Sequence, residues 1–224
     1  MEFTEKTSPD TFFLDIGANI SMYSLHAAVW GRDVIAFEPF QRNYQRICKS
    51  ISMKKAFEER LTIFNVTLTD HPTTVGFSSF TEDNFGRVHV DDQDSKAESS
   101  GAPVRGVDYA PGVELSSLKS VLPLNHPAVI KIDVAGTECG ALGGAMEYLH
   151  TLDIHYVAIE WCIEMRKCQH AEAIFELFRK NRLTPYQLLY LENKWKPLNP
   201  TEWRQWGNDK PTFEVLKTHK IGVG

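Results

Sequence analysis

The sequence predicts an α/β fold: a mostly parallel sheet with helices on both faces. Three observations predict it. Short unbroken apolar runs recur at Phe12 to Leu14, Val34 to Phe37 and Ala128 to Ile130, as in strands buried on both faces of a sheet. Each run is followed within a few residues by a carboxylate, at Asp15, Glu38 and Asp133. Segments of helical period separate the runs. A chain of 224 residues suits one domain, residues 1–224, and can bury a full core without metal or disulfide staples.

The elements follow in order. Phe12 to Leu14, ending in Asp15, is the first strand, Gly17 a tight turn, and Ile20 to Trp30 a helix with an apolar stripe around Met22, Leu25 and Val29. Gly31 closes that helix as a C-cap does. Asp33 to Pro39 is the second strand, ending in Glu38, and Gln41 to Met53 the second helix, with Tyr44, Ile47, Cys48 and Ile51 on one side. Leu61 to Leu68 is β-branched and apolar, hence a third strand, stopping at Thr69-Asp70-His71-Pro72. From Thr73 to Val113 the rhythm breaks, and a hairpin with a polar tip over Asp91 to Gly101 is expected. Such excursions on rigid scaffolds carry specificity. Leu115 to Leu122 reads as a short helix, Ala128 to Val134 as the fourth strand, Ala141 to His150 as its helix and His155 to Trp161 as the fifth strand. Ala171 to Leu183 has amphipathic spacing. Two final strands, Tyr186 to Leu191 and Thr212 to Thr218, bracket a loop bearing Trp195, Trp203 and Trp206. The count is seven strands, with the hairpin excursion between strands three and four.

Strand, glycine turn and helix form the first half of a nucleotide-binding unit. Gly17 lets backbone approach a ligand closely, and the helix start offers free N–H groups to an anion. A dinucleotide fingerprint needs three glycines, whereas Ala18, Asn19 and Ile20 follow this one. A nicotinamide dehydrogenase is therefore disfavoured. S-adenosyl-L-methionine, whose anionic end is a single carboxylate, fits better. Glu38 lies about 20 residues past the glycine, where an acidic side chain grips ribose hydroxyls. Ligands of open parallel sheets bind beyond the carboxyl ends of the strands. Asp15, Glu38, Asp70, Asp133 and Glu160 stand there, with Thr67 near the end of the third strand. His126 and His155 precede their strands and belong to the opposite rim, while His71, His89 and His170 stay on the ligand side or in the excursion.

Three blocks carry a family resemblance: Leu14-Asp15-Ile16-Gly17-Ala18-Asn19-Ile20; Ala36-Phe37-Glu38-Pro39 with Asn43; and Lys131-Ile132-Asp133-Val134-Ala135-Gly136-Thr137-Glu138. In this order and at these separations the chain resembles the FkbM family of methyltransferases, roughly from Thr11 to Trp161. The resemblance implies a Rossmann-like sheet with a terminal antiparallel strand pair. It also implies S-adenosyl-L-methionine as donor and O-methylation of a sugar, lipid or polyketide-like hydroxyl. Asp15, Gly17, Asn19, Glu38, Asn43, Thr67 and Asp70 are the candidate cofactor-binding residues. The family usually has Gly where this chain has Ser21, Glu where it has Ala135, and often acidic residues where it has Ser116 and Ser117.

Methyl transfer needs alignment and a dry site, because the donor is already activated. An alcohol acceptor also needs its proton taken by a carboxylate or imidazole within reach. Asp133 is the first candidate base, followed by Glu160 and His170. Lys131 shares a strand face with Asp133, and a buried ammonium needs a partner carboxylate such as Asp133 or Glu138. Catalytic candidates are thus Asp133, Lys131, Glu138 and Glu160. No metal is expected, since Asp91, Asp92 and Asp94 resemble an ion site only in composition. Ser21 and Ala135, each beside a block expected to touch donor or acceptor, also keep open a non-catalytic binding module with a methyltransferase fold.

A net charge of −5 with scattered Lys and Arg argues against a phosphate-tracking nucleic-acid surface. The expected partner is a small-molecule hydroxyl acceptor, recognised by the excursion and the tryptophan loop. The same tryptophans are alternatively read as packing for the terminal hairpin or a homodimer contact. Cys48, Cys139, Cys162 and Cys168 show neither C-x-x-C nor zinc spacing, and reduced, partly buried thiols are expected. No run reaches the ~18 apolar residues of a membrane span, and the polar start is not a signal peptide. A cytoplasmic location is expected, an upstream anchor being left open.

Overall fold

The structure, a computed structural model, describes residues 7–79, 88–91, 107–161, 163–189, 194–206 and 212–218. In chain order the strands are β1 (Phe12–Ile16), β2 (Val34–Phe37), β3 (Leu61–Phe64), β4 (Thr67–Leu68), β5 (Thr73–Ser79), β6 (Val88–Asp91), β7 (Val107–Val113), β8 (Pro127–Ile132), β9 (Asp153–Trp161), β10 (Leu183–Leu189), β11 (Lys194–Pro197) and β12 (Thr212–Thr218). The helices are α1 (Met22–Val29), α2 (Gln41–Ile51), α3 (Lys55–Arg60), α4 (Glu138–Gly143), α5 (Met146–Leu149) and α6 (Ala171–Lys180). The main sheet has the order β11-β10-β12-β9-β8-β1-β2-β3. Its strands β3, β2, β1, β8 and β9 are parallel, and β12, β10 and β11 continue antiparallel.

Alternation along β1 sends successive side chains to opposite faces. Phe12, Leu14 and Ile16 join a core with Tyr148, Leu149, Ile174 and Phe178. Phe13 joins another with Ala27, Ala28, Ile47 and Phe57. Helices cover both faces, so the strands read as continuous apolar runs.

The sheet has eight strands rather than the seven expected. The additional strand, β11, is Lys-Trp-Lys-Pro, whose charges and proline hide it from an apolar-run reading and suit it to an edge. The expected third strand is broken after Phe64, where Asn65 turns its amide onto the carbonyls of Glu38 and Pro39 at 2.9 and 3.0 Å. Beyond the break, β4 joins β7, β5 and β6 in a second sheet of order β4-β7-β5-β6. The excursion therefore supplies three strands of a four-stranded sheet rather than a hairpin. Most of the polar tip expected over 91–101 lies outside the described residues.

The first helix is rotated from its expected phase. Ser24, Ala27 and Ala28 face the sheet, while Met22, Tyr23, Val29 and Trp30 are exposed. Small side chains let the helix ride close to the strands; size here outweighs hydrophobicity. The helix expected over 141–150 starts earlier, at Glu138, and breaks at Gly144, where a Cβ would fall 1.9 Å from the Thr69 carbonyl oxygen.

One further expectation changes, and of the two readings of the tryptophan loop, packing holds for Trp203 and Trp206. Cys139 and Cys168 form a disulfide, with Cα atoms 5.4 Å apart, instead of remaining thiols; the folded chain brings together residues 29 apart in sequence. Trp203 and Trp206 are core residues, packed with Trp161 and Phe175. Of that loop's three tryptophans, Trp195 is the exposed one. Among the described residues no helix is long and apolar enough to cross a membrane.

Candidate functional site

From β1 the chain steps through β2 to β3 in one direction, and from β8 to β9 in the other. Strand order thus reverses between β1 and β8, the place where open α/β sheets leave a crevice. An open cleft with a volume of about 110 Å³ lies there. Gly17 and Asn19 enter it after β1, and Glu38, Pro39 and Asn43 after β2. Asp133, Val134, Ala135 and Thr137 line it after β8, and Thr67 and Phe77 come from the second sheet.

The turn after β1 is built from left-handed backbone: φ is +81° at Gly17, +53° at Asn19 and +64° at Ser21. Only glycine is free of penalty in that region. At Gly17 space is decisive as well, because a Cβ would lie 2.0 Å from the Asp133 carbonyl oxygen. The tips of β1 and β8 are therefore in backbone contact, and the cleft floor closes there.

Glu38 is 4% exposed yet lines the cleft. Its Oε2 accepts the Asn19 N–H at 2.7 Å, and its Oε1 accepts the Phe40 N–H at 3.0 Å and the Asn43 amide at 3.4 Å. Burial pushes its pKa up to about 7 despite those donors. Asn43 also donates to Asn19 Oδ1 at 3.2 Å, so the tips of β1 and β2 share one polar network.

Beneath the cleft lies a buried charge cluster. Asp15 and Lys131 are register neighbours on β1 and β8. Lys131 Nζ stands 3.3 Å from Asp15 Oδ1 and 3.8 Å from Asp133 Oδ2, and it donates to the Gly17 carbonyl. Ser24 donates to Asp15 Oδ2 at 2.6 Å. Burial opposes the ammonium's charge, but the carboxylates of Asp15 and Asp133 outweigh it and hold the Lys131 pKa above its ordinary value. Asp15 is fully buried, so it supports the floor from below, whereas the partly exposed Asp133 faces the cleft.

Glu138 is turned away. It is fully buried, and its carboxylate accepts the N–H groups of Val134 at 3.0 Å and Gly136 at 3.1 Å. It staples the loop between β8 and α4. Ala135 (φ +53°) and Gly136 (φ +99°) form the bend, with Ala135 exposed in the cleft wall. Asp70 and Glu160 do not line the cleft. Asp70 instead pairs with His71 at 2.7 Å, His170 at 3.1 Å and Gln169 at 3.2 Å. The imidazole of His170, more than burial, leads in setting its direction and keeps the Asp70 carboxyl below the usual range. Sequence reasoning missed Phe77, Pro39, Val134 and Thr137 in the lining, and the supporting roles of Ser24 and Asn65. Phe77 had no signal, since its place depends on the second sheet. Among the described residues no cluster of His, Cys, Asp and Glu is able to hold a metal ion.

The molecule resembles several solved structures. Methyltransferase FkbM from Methylobacillus flagellatus KT superposes with a TM-score of 0.53 at 14% identity, covering 94% of this chain and 44% of its own. This chain thus spans less than half of that protein's length, and the likeness shows the fold. A NADB-Rossmann superfamily protein from Streptococcus agalactiae gives 0.47 at 10% identity, covering 100% of this chain and 68% of its own. Magnesium protoporphyrin IX methyltransferase from Synechocystis PCC 6803, with bound SAM, gives 0.41 at 7% identity, covering 94% and 71%. No curated protein matches the sequence. The sequence itself matches the methyltransferase FkbM domain over residues 15–182, from the buried aspartate of β1 to the turn before β10. That match takes in most of the chain and all of the cleft-lining residues, and the chain belongs to the FkbM methyltransferase family.

Proposed function

We propose that the cleft binds S-adenosylmethionine and that the protein passes a methyl group to a hydroxyl of a small sugar-, lipid- or polyketide-like acceptor. The observation that carries this reading is the opposition of Glu38 and Asp133, two carboxylates at the tips of β2 and β8 on either side of the Gly17 turn. The donor set suits the ligand. Glu38 keeps lone pairs beyond those taken by Asn19, Phe40 and Asn43, and these accept ribose hydroxyls. Phe77, Pro39 and Val134 supply apolar wall, and the acidic lining attracts a cation.

When bound, the donor supplies a methyl group on an electron-poor sulfonium carbon. Asp133 accepts the acceptor's hydroxyl proton, and Lys131 beside it offers a fixed positive charge to the site. Glu138 acts through the backbone by fixing the loop that carries Asp133. Asp15 acts through Lys131 and Ser24.

Calorimetric titration with S-adenosylmethionine tests the binding half of the reading; a folded protein that takes up none overturns it. Incubation with methyl-labelled donor and fractionated extracts tests the transfer half. Label appearing as a base-stable methyl ether on a small molecule supports it, and base-labile label, or label found only on protein or nucleic acid, refutes the acceptor class.

A further inference from the structure

The segment 164–170 runs alongside the cleft loop and its helix, and touches them at three successive points. The Glu164 carboxylate lies about 4 Å from where a Cβ of Gly136 would stand, Cys168 is joined to Cys139, and the His170 ring packs on Gly143. A Cβ at Gly143 would fall 2.4 Å from His170 Cδ2, so that glycine is required for the ring to seat. His170 is itself held by Asp70 at 3.1 Å, and Gln169 donates to the same carboxylate at 3.2 Å. Asp70 in turn follows Thr69, whose carbonyl fills the space left by Gly144. None of these groups lines the cleft.

The geometry points to a strap: residues 164–170, fastened by the Cys139–Cys168 disulfide and the Asp70–His170 pair, position the loop from Asp133 to Glu138 against the cleft. This inference rests on the proposed donor site for its functional consequence. The physical reason is the brevity of α4. It has six residues, two of them glycine, and although Ala141 and Leu142 reach the core it is far below the length at which a helix holds itself. The loop ahead of it bends through left-handed backbone at Ala135 and Gly136, which alanine adopts at a cost. A short, glycine-rich helix does not hold such a bend unaided. The covalent link is at its first turn and the His170 ring, held by Asp70, at its last, so both ends are pinned. Asp70 and His170 are thus positioning residues that act on Asp133 through α4 and the Glu138 staple.

Hydrogen exchange on the full chain tests this, together with calorimetric binding of S-adenosylhomocysteine. In His170→Ala and in the double variant Cys139→Ser/Cys168→Ser, amides of Val134 to Glu138 are expected to exchange at least about tenfold faster, with β1 and β8 as protected as before. His170→Gln, which keeps an N–H toward Asp70, is expected to recover part of that protection. Wild-type exchange at the loop in both variants overturns the strap, as does an even loss of protection across the main sheet, which is the mark of a plain structural staple. If the cysteine variant does not fold, His170→Ala and Asp70→Asn decide by the same readout. Failure of the wild-type protein to bind the nucleoside ligand refutes the donor site alone, because the exchange pattern does not depend on that ligand.

Discussion

Lys131 and Asp15 face each other in register across β8 and β1, and their charges meet at 3.3 Å with almost no access to water. Strand alternation places both on the sheet face under α1, where Ser24 donates to the other carboxylate oxygen, Asp15 Oδ2. The pair is an electrostatic floor: it ties the turn after β1 to the strand that carries Asp133.

Lys131→Met is expected to destabilise the protein by about 3–5 kcal/mol, because it leaves Asp15 buried without its counter-charge. Thermal melting measures the effect. Adding Asp15→Asn removes the stranded charge and should recover part of the loss. Equal melting of Lys131→Met and wild type would show that the pair contributes nothing to the floor.

Glu38→Ala should weaken binding of S-adenosylmethionine by at least about tenfold, since hydrogen bonds to a charged group contribute about 1.5–3 kcal/mol each. The fold should survive, because the backbone donors of Asn19 and Phe40 sit beside an open cleft that admits water. Calorimetry on the folded variant is the check, and unchanged affinity refutes the ribose assignment.

The same residue sets a pH dependence. Burial raises the Glu38 pKa from 4.5 to about 7, so the folded chain retains a proton that the unfolded chain has released. Its contribution to stability is complete below pH 4.5 and is lost as pH rises through about 7. Hydroxyl recognition needs the ionised form, so donor affinity moves the other way, strengthening about tenfold between pH 6 and 8. Calorimetric titrations across that range, with Glu38→Gln as the pH-independent reference, measure it.

Gly17→Ala combines two penalties, a left-handed φ of +81° and a Cβ 2.0 Å from the Asp133 carbonyl. The clash is with backbone, so relief requires the tips of β1 and β8 to part. Donor binding should be lost, and the melting temperature should fall by several degrees. Wild-type affinity in this variant would show that the two tips need not touch.

Asp133→Asn should lower turnover by about 10²–10⁴-fold, the usual loss for a positioned base, without weakening donor binding. Ala135→Glu, on the exposed cleft wall, should raise turnover or leave it unchanged. An active enzyme indifferent to Asp133→Asn refutes the base assignment.

What the sequence shows of this site is what strand chemistry alone determines. Gly17, Glu38 and Asp133 were legible because apolar runs locate strand tips, and ligands of such sheets bind there. Asn19 and Asn43 came with the family motifs. The phase of α1 was not legible: a stripe of Met22, Leu25 and Val29 competes with one of Ser24, Ala27 and Ala28, and sheet contact favours the small one. Glu138 looked like a spare carboxylate, and only the bend at Ala135 and Gly136 brings two backbone N–H groups onto it. Asp70 sits at a strand end in sequence, yet β4 leaves the main sheet and carries it to His170. The Cys139–Cys168 link joins elements separated by a whole strand, which spacing does not reveal.

The cleft draws its walls from two different sheets, with Gly17, Glu38 and Asp133 on one and Thr67 and Phe77 on the other. A molecule lodged between them is therefore mortar as well as cargo. Each contact it makes across the gap adds to the work of prising the sheets apart, so occupancy and mechanical resistance rise together. Pulled apart in a force experiment, the loaded protein should yield at higher load than the empty one, and it should yield first along that seam.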